Sequence, residues 1–364
     1  MTDAPVPQPG IMELTPYKAF AKPKRPGRLI RLMANEGALG PSPKAIEAYK
    51  AAAGEIHRYP ESGSGTLVSA LAKHYGLDPE KLVIGNGSDE LIELLCHCFC
   101  GPGDEIVYTQ YGFVMYPTCA RAAGATPVVA PDDGYTASVD AILSKVTAKT
   151  KIVFLANPNN PTGSYLARSE VERLWKALAK RIVLVLDAAY AEYVERNDYS
   201  SGAELAEQAP NVVMLRTFSK LFGLAGLRLG WGYGSPAVVD VLNRVHGVFN
   251  VNAAAQAAGV AALEDVPFQD RSRTHNRIWM PRVVEKLKAL GFEPQPTVAN
   301  FILVKVPANL GKTPEQILAF CAERGIFMRE MKTYGMSDCF RFSIGTEEEN
   351  QALFDALSEC LGRG

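Results

Sequence analysis

Arg181-Ile-Val-Leu-Val-Leu-Asp187 is an unbroken apolar run closed by a carboxylate. A run without polar alternation suits a strand covered by helices on both faces, as in a parallel sheet. The acid at its end is then largely withdrawn from water and must be paired or hydrogen-bonded. Working outward, residues 80–235 repeat one pattern: a short β-branched run, a turn rich in Gly, Asn, Asp or Pro, and a longer helical stretch. That alternation predicts an α/β domain around a mostly parallel sheet. Seven strand candidates fall at 82–84, 105–108, 127–129, 152–155, 182–186, 212–216 and 229–233.

Beyond about residue 260 the texture changes. Strands at 301–306 and 340–344 and helices at 313–323 and 346–361 suggest a smaller α+β domain, with Pro294 and Pro296 punctuating its approach. The first 45 residues are dense in proline and poor in periodic segments, and read as an arm wrapping other structure. The predicted division is an arm at 1–45 packing with the small domain, a large domain at 46–261 and a small domain at 262–364.

With 364 residues the chain has ample length for about two domains and a large core. Hydrophobic residues supply 47% and charged residues 21%, a globular composition. The net charge of -1 leaves no broad positive field to offset a phosphate polymer, so nucleic acid is a poor partner. Seven cysteines, odd in number and sparse, read as reduced thiols. No basic, then apolar, N-terminal pattern suggests a signal peptide, and no run approaches 18 apolar residues. A soluble cytoplasmic protein with no membrane contact is expected.

Four polar segments follow strand candidates: Gly85-Asn-Gly-Ser-Asp89, Asn157-Pro-Asn-Asn-Pro-Thr-Gly163, Asp187 itself, and Thr217-Phe-Ser-Lys220. Ligands of open α/β sheets bind outside the carboxyl ends of strands, so these segments can converge on one pocket. At Gly87-Ser88-Asp89 small residues and free helix-start N–H groups favour a phosphate, although Ser and Asp are also ordinary helix caps. Arg228, Thr217 and Ser219 could add side-chain donors. Asp187 needs a cationic partner, and Lys220 is the candidate. Either the two form a structural ion pair, or each contacts a different atom of one cofactor.

Together with Gly223-Leu-Ala-Gly-Leu-Arg-Leu-Gly230, these motifs resemble the fold type I aminotransferases that use pyridoxal 5'-phosphate, over nearly the whole chain. Within that group the sequence is most similar to the histidinol-phosphate branch, through Asn35-Glu36, Gly40-Pro-Ser-Pro43, Arg58-Tyr-Pro60, Gly85-Asn-Gly-Ser-Asp-Glu90, Phe249-Asn-Val-Asn252 and Arg341-Phe-Ser-Ile-Gly-Thr346. The resemblance implies a large domain with a mostly parallel seven-stranded sheet, a smaller α+β domain, and transamination between small amino donors and 2-oxo acids in histidine biosynthesis. It implies that Lys220 forms the Schiff base with the cofactor and then moves the proton, and that Asp187 keeps the pyridine nitrogen protonated. Tyr190 and Asn160 would bond the phenolic oxygen, and Phe113 would stack on the ring. Ser88, Asp89, Thr217, Ser219 and Arg228 would cup the phosphate. Tyr59 would reach the neighbouring subunit's cofactor phosphate, implying a homodimer with shared active sites. Arg341 would grip the substrate's anionic end, its planar donor fork suiting carboxylate and phosphate alike. Arg329, Asn35 and Tyr17 are candidates for the same region.

The chain departs from the common family pattern at Asn35-Glu-Gly-Ala38 and Asp187-Ala-Ala-Tyr190. The first lies near the expected substrate entrance, where it bears on the donor. An aromatic aminotransferase, a threonine-phosphate decarboxylase or a non-catalytic ligand sensor are the rival readings. Cys96-His-Cys-Phe-Cys100 imitates a metal cluster, but helical spacing splits its thiols between faces and no metal is expected. Gly311-Lys-Thr313 lacks the first glycine of a P-loop. Gly230, Gly232 and Gly234 form too weak a spacing for a dinucleotide site.

Overall fold

In the computed structural model, residues 5–7, 9–14, 16 and 29–363 are described. Their strands are β1 Ile30–Arg31, β2 Leu82–Gly85, β3 Glu105–Thr109, β4 Thr126–Ala130, β5 Thr150–Ala156, β6 Val183–Asp187, β7 Val212–Thr217, β8 Gly230–Gly234, β9 Glu293–Pro294, β10 Phe301–Lys305, β11 Ile326–Phe327, β12 Arg329–Glu330 and β13 Cys339–Ser343. Seven of them form one sheet in the order β2-β8-β7-β6-β5-β3-β4. Only β8 runs against its neighbours; the other pairs are parallel. The seven predicted segments are these seven strands, with ends displaced by at most two residues.

The absence of alternation in β6 has a direct cause. Leu184 and Leu186 enter the core on one face of the sheet, while Val183 and Val185 enter the core on the other. In β7, Val212 and Met214 divide from Val213 and Leu215 in the same way. Each such side chain contributes roughly 1.5–3 kcal/mol by leaving water. This double burial leaves the strand ends as the natural place for polar groups.

A second sheet, β12-β13-β10-β9, is antiparallel throughout and packs its own core with the helices Pro314–Glu323 and Glu347–Cys360. Thr313 and Thr346 start those helices with reciprocal capping boxes. The 24-residue helix Val266–Ala289, which the sequence reading did not delimit, carries Pro281 within it. Among the described residues no helix is long and apolar enough to cross a membrane.

The chain before the large sheet is tied to the second one. Strand β1 pairs in parallel with β11, and the Ser343 N–H donates to the Leu32 carbonyl at 2.8 Å. Ile30 and Leu32 join the small core. Residues 33–36 are thereby laid across the carboxyl ends of β6 and β7.

Candidate active site

Polar strand ends and the arm enclose a cavity of about 540 Å³. Ser88, Asp89, Phe113, Asn160, Asp187, Tyr190, Thr217, Ser219, Lys220 and Arg228 all line it, joined by Ala34 and Glu36 of the arm. Four segments that the sequence placed at strand ends therefore do converge.

Asp187 ends β6 at 7% exposure. The Tyr116 hydroxyl donates to its Oδ2 at 2.8 Å and the Ala189 N–H to its Oδ1 at 3.3 Å. Burial is the main cause that pushes its carboxyl up to about 6, against the lowering effect of the Tyr116 bond. Lys220 is not its partner among the described residues: the amine instead donates to the Ala34 carbonyl at 3.1 Å. Withdrawal from water pulls the Lys220 ammonium down to about 8, with the Arg341 guanidinium next in effect. One cavity thus holds a carboxylate short of a cation and an amine short of an anion.

This arrangement has a measurable effect on stability. Asp187 binds its proton more tightly folded than unfolded, so its contribution is intact below about pH 4 and lost as pH rises through about 6. In cofactor-free protein, Asp187→Asn is therefore expected to stabilise by up to about 3 kcal/mol at pH 7.5 and to be nearly neutral at pH 4. Thermal unfolding at both pH values measures this; equal effects at the two would contradict it.

The candidate anion pocket lies where the helix Ser88–Phe99 begins. Gly87 precedes it at φ 85°, and a Cβ on Gly230 would stand 2.2 Å from the Ser88 nitrogen, so glycine in β8 lets the sheet approach the helix start. Thr217 Oγ1 donates to Ser219 Oγ at 3.0 Å, and Arg228 reaches Ser219 Oγ at 3.4 Å and Asp89 Oδ2 at 3.1 Å. As an acceptor held by Arg228, the Asp89 side chain orients the guanidinium; what it offers an anion directly is its backbone N–H. Arg228 itself sits at φ 53°, an uncommon conformation for a residue with a side chain.

The three asparagines of the 157–163 loop have separate tasks. Asn157 exchanges hydrogen bonds with the Leu166 backbone at 2.8 and 3.1 Å, and Asn159 fastens Thr162 and the Tyr111 carbonyl, both at 3.0 Å. Asn160 alone lines the cavity, where its Oδ1 accepts from Arg341.

Asn35 donates to the Tyr190 hydroxyl at 2.8 Å and to Asn160 Oδ1 at 3.4 Å, which makes it a neighbour of the Tyr190 group. Burial pushes the Tyr190 phenol up to about 12, with Arg341 and Asn35 working against it. Arg341, 5% exposed in β13, also donates to the Met33 carbonyl at 2.8 Å and stands 5.2 Å from the Phe301 ring centroid. Arg329 occupies the register position opposite Arg341 on β12 and does not line the cavity. Tyr59 is 83% exposed, stacked on Phe249 at 4.6 Å and outside the cavity lining. Tyr17 lies outside the described residues.

Tyr116 and Ala34 were missed by the sequence reading. Tyr116 lies three residues beyond Phe113 on a helix, a spacing that gives no sign of its contact with Asp187, 71 residues away.

The aminotransferase class I and II family model matches residues 28–357. A histidinol-phosphate aminotransferase of Rhodospirillum centenum is 50% identical over 98% of this chain and 99% of its own length. That of Paramagnetospirillum magneticum is 50% identical over 99% of each. Among solved structures, the histidinol-phosphate aminotransferase of Sinorhizobium meliloti in complex with pyridoxal-5'-phosphate superposes with a TM-score of 0.89 at 27% identity, covering 99% of both chains. The matched length and the convergent strand ends agree: this chain belongs to the aminotransferase class I and II family.

Proposed function

We propose that the chain is a pyridoxal 5'-phosphate-dependent aminotransferase interconverting histidinol phosphate plus 2-oxoglutarate with imidazole-acetol phosphate plus glutamate. The observation that carries this reading is the unpaired placement of Asp187 and Lys220 on one cavity. The donor set suits the cofactor. A buried carboxylate with a raised pKa calls for a cation such as a protonated pyridine nitrogen, and the helix start with Thr217, Ser219 and Arg228 calls for a phosphate.

When bound, the cofactor supplies an electron sink for the substrate α-carbon. The chain's own residues do the rest. Asp187 holds the proton on the ring nitrogen. At a pKa of about 8, about a tenth of Lys220 is free amine at pH 7, a far larger share than for an ordinary lysine, so its Nζ would be the group to hold the cofactor and to take the proton from the substrate α-carbon. Tyr190 and Asn160 would bond the ring's phenolic oxygen, and Phe113, on the same cavity, would cover the ring and exclude water.

Arg341 is assigned the substrate anion, whether the α-carboxylate of glutamate or the phosphate of histidinol phosphate, with Arg329 as a neighbouring charge. Arg341→Ala is expected to lower kcat/KM about 10²- to 10³-fold for both half-reactions, as loss of a charge-assisted fork does. Loss confined to one half-reaction would mean that donor and acceptor are held separately. The donor itself is tested by turnover of histidinol phosphate against phenylalanine with 2-oxoglutarate as acceptor. Histidinol phosphate should win by at least about tenfold; a preference for phenylalanine would overturn the donor and leave the reaction class standing.

The same reading includes a homodimer with Tyr59 contributed across the interface. Its support is the stacked pair Tyr59 and Phe249, which remains exposed together with their chain neighbours Ile56 and Val248. Sedimentation at twice 39.4 kDa is expected, and a monomer would contradict it. The arm at 1–45, large domain at 46–261 and small domain at 262–364 are the proposed units, supported by separate cores around the two sheets. A cytoplasmic site of action is consistent with seven free cysteines.

A further inference from the structure

Asn300 precedes β10 at 3% exposure and does not line the cavity of the candidate active site. Its Nδ2 donates to the carbonyls of Asn35 at 3.2 Å and Glu36 at 3.1 Å. These bonds, with the Asn35 N–H on Ser343 Oγ at 2.9 Å, hold Asn35 at φ 56°, a left-handed conformation that asparagine adopts more readily than other residues with a side chain. In that setting the Asn35 amide donates to the Tyr190 hydroxyl at 2.8 Å.

The other end of the same side chain is equally defined. Asn300 Oδ1, Asn276 Oδ1 and Ser272 Oγ are buried without a hydrogen-bond partner among the described residues. All three residues line one cavity of about 10 Å³ between the arm, the helix Val266–Ala289 and the end of β13. The amides cannot be turned round, since Asn276 Nδ2 donates to the Ala299 carbonyl at 3.3 Å and Asn300 Nδ2 is already engaged. Two oxygens that only accept and a hydroxyl that can donate match one molecule that donates twice and accepts once, and the volume is about that of a single water. The lining, which also includes Tyr193 and His275, holds no carboxylate to offset the charge of a cation.

We propose that this cavity binds one ordered water held by Ser272, Asn276 and Asn300, and that Asn300, braced by it, is a positioning residue for Tyr190. The inference rests on the role given above to Tyr190. Removing the brace frees Asn300, then Asn35, and weakens the donor on the Tyr190 hydroxyl.

Two measurements test it. A high-resolution crystal structure of cofactor-free protein grown with rubidium salt should contain one peak within about 2.7–3.2 Å of the three oxygens and without anomalous signal. An anomalous peak or no peak would overturn the water site. In cofactor-loaded protein, the pH midpoint of the visible absorption should move in Asn300→Ala in the same direction as in Tyr190→Phe, by roughly half a unit. Ser272→Ala, which leaves the packing nearly intact, should move it the same way by less. An unmoved midpoint in both, with Tyr190→Phe shifted, would overturn the positioning role. An unmoved midpoint in Tyr190→Phe would instead overturn the assignment of Tyr190 on which the inference rests.

Discussion

Lys220→Ala is expected to lower turnover by at least about 10⁴-fold, because the role proposed for it makes one side chain both the nucleophile that would carry the cofactor and the base that would move the substrate proton. The structure prepares it for both tasks. Its ammonium is pulled down to about 8 by withdrawal from water and by Arg341, and its one hydrogen bond among the described residues is to a neutral carbonyl, Ala34 O, which is readily exchanged. An ion pair with Asp187 would have had the opposite effect, raising the pKa and immobilising the amine. Added methylamine should restore part of the lost rate, since a small amine fits the space left by the side chain. Turnover within tenfold of the parent would exclude Lys220 from the chemistry.

The second large effect belongs to Asp187. Asp187→Asn keeps the volume and the Tyr116 and Ala189 contacts in reach but removes the charge proposed to stabilise a proton on the ring nitrogen. A loss of about 10²- to 10³-fold in kcat is expected, with KM little changed, the pattern of an interaction that matters most as charge develops. The cofactor-free variant should meanwhile be the more stable protein at pH 7.5. Stability gained with activity lost is the mark of a group whose folded environment is set by its ligand. A variant that loses both, or neither, would show that Asp187 is an ordinary core acid.

The fold was legible in the sequence wherever double burial erased alternation. Strand β6 announces itself because Val183 through Leu186 feed two cores at once, and its terminal acid stands out against that background. The convergence of the polar segments on one cavity was legible for the same reason: polar groups at the ends of apolar strands share a place even when the chain between them is long. Contacts that depend on how the arm crosses the sheets were not. Asn35 reaches Tyr190 across 155 residues through a left-handed backbone held by Asn300, and no spacing encodes that. The 157–163 loop is a middle case. Its composition marks a turn, yet only the coordinates separate Asn157 and Asn159, which fasten the backbone, from Asn160, which faces the cavity. Two-residue strands such as β11 and β12 carry too little pattern to be read at all.

Reductive trapping addresses the central claim most directly. Protein loaded with pyridoxal phosphate is reduced with borohydride, digested with trypsin and mapped by mass spectrometry. The expected result is one modified peptide, residues 217–228, left uncut after Lys220 because its amine carries the cofactor. A label on any other lysine, or no covalent label at all, would contradict the account.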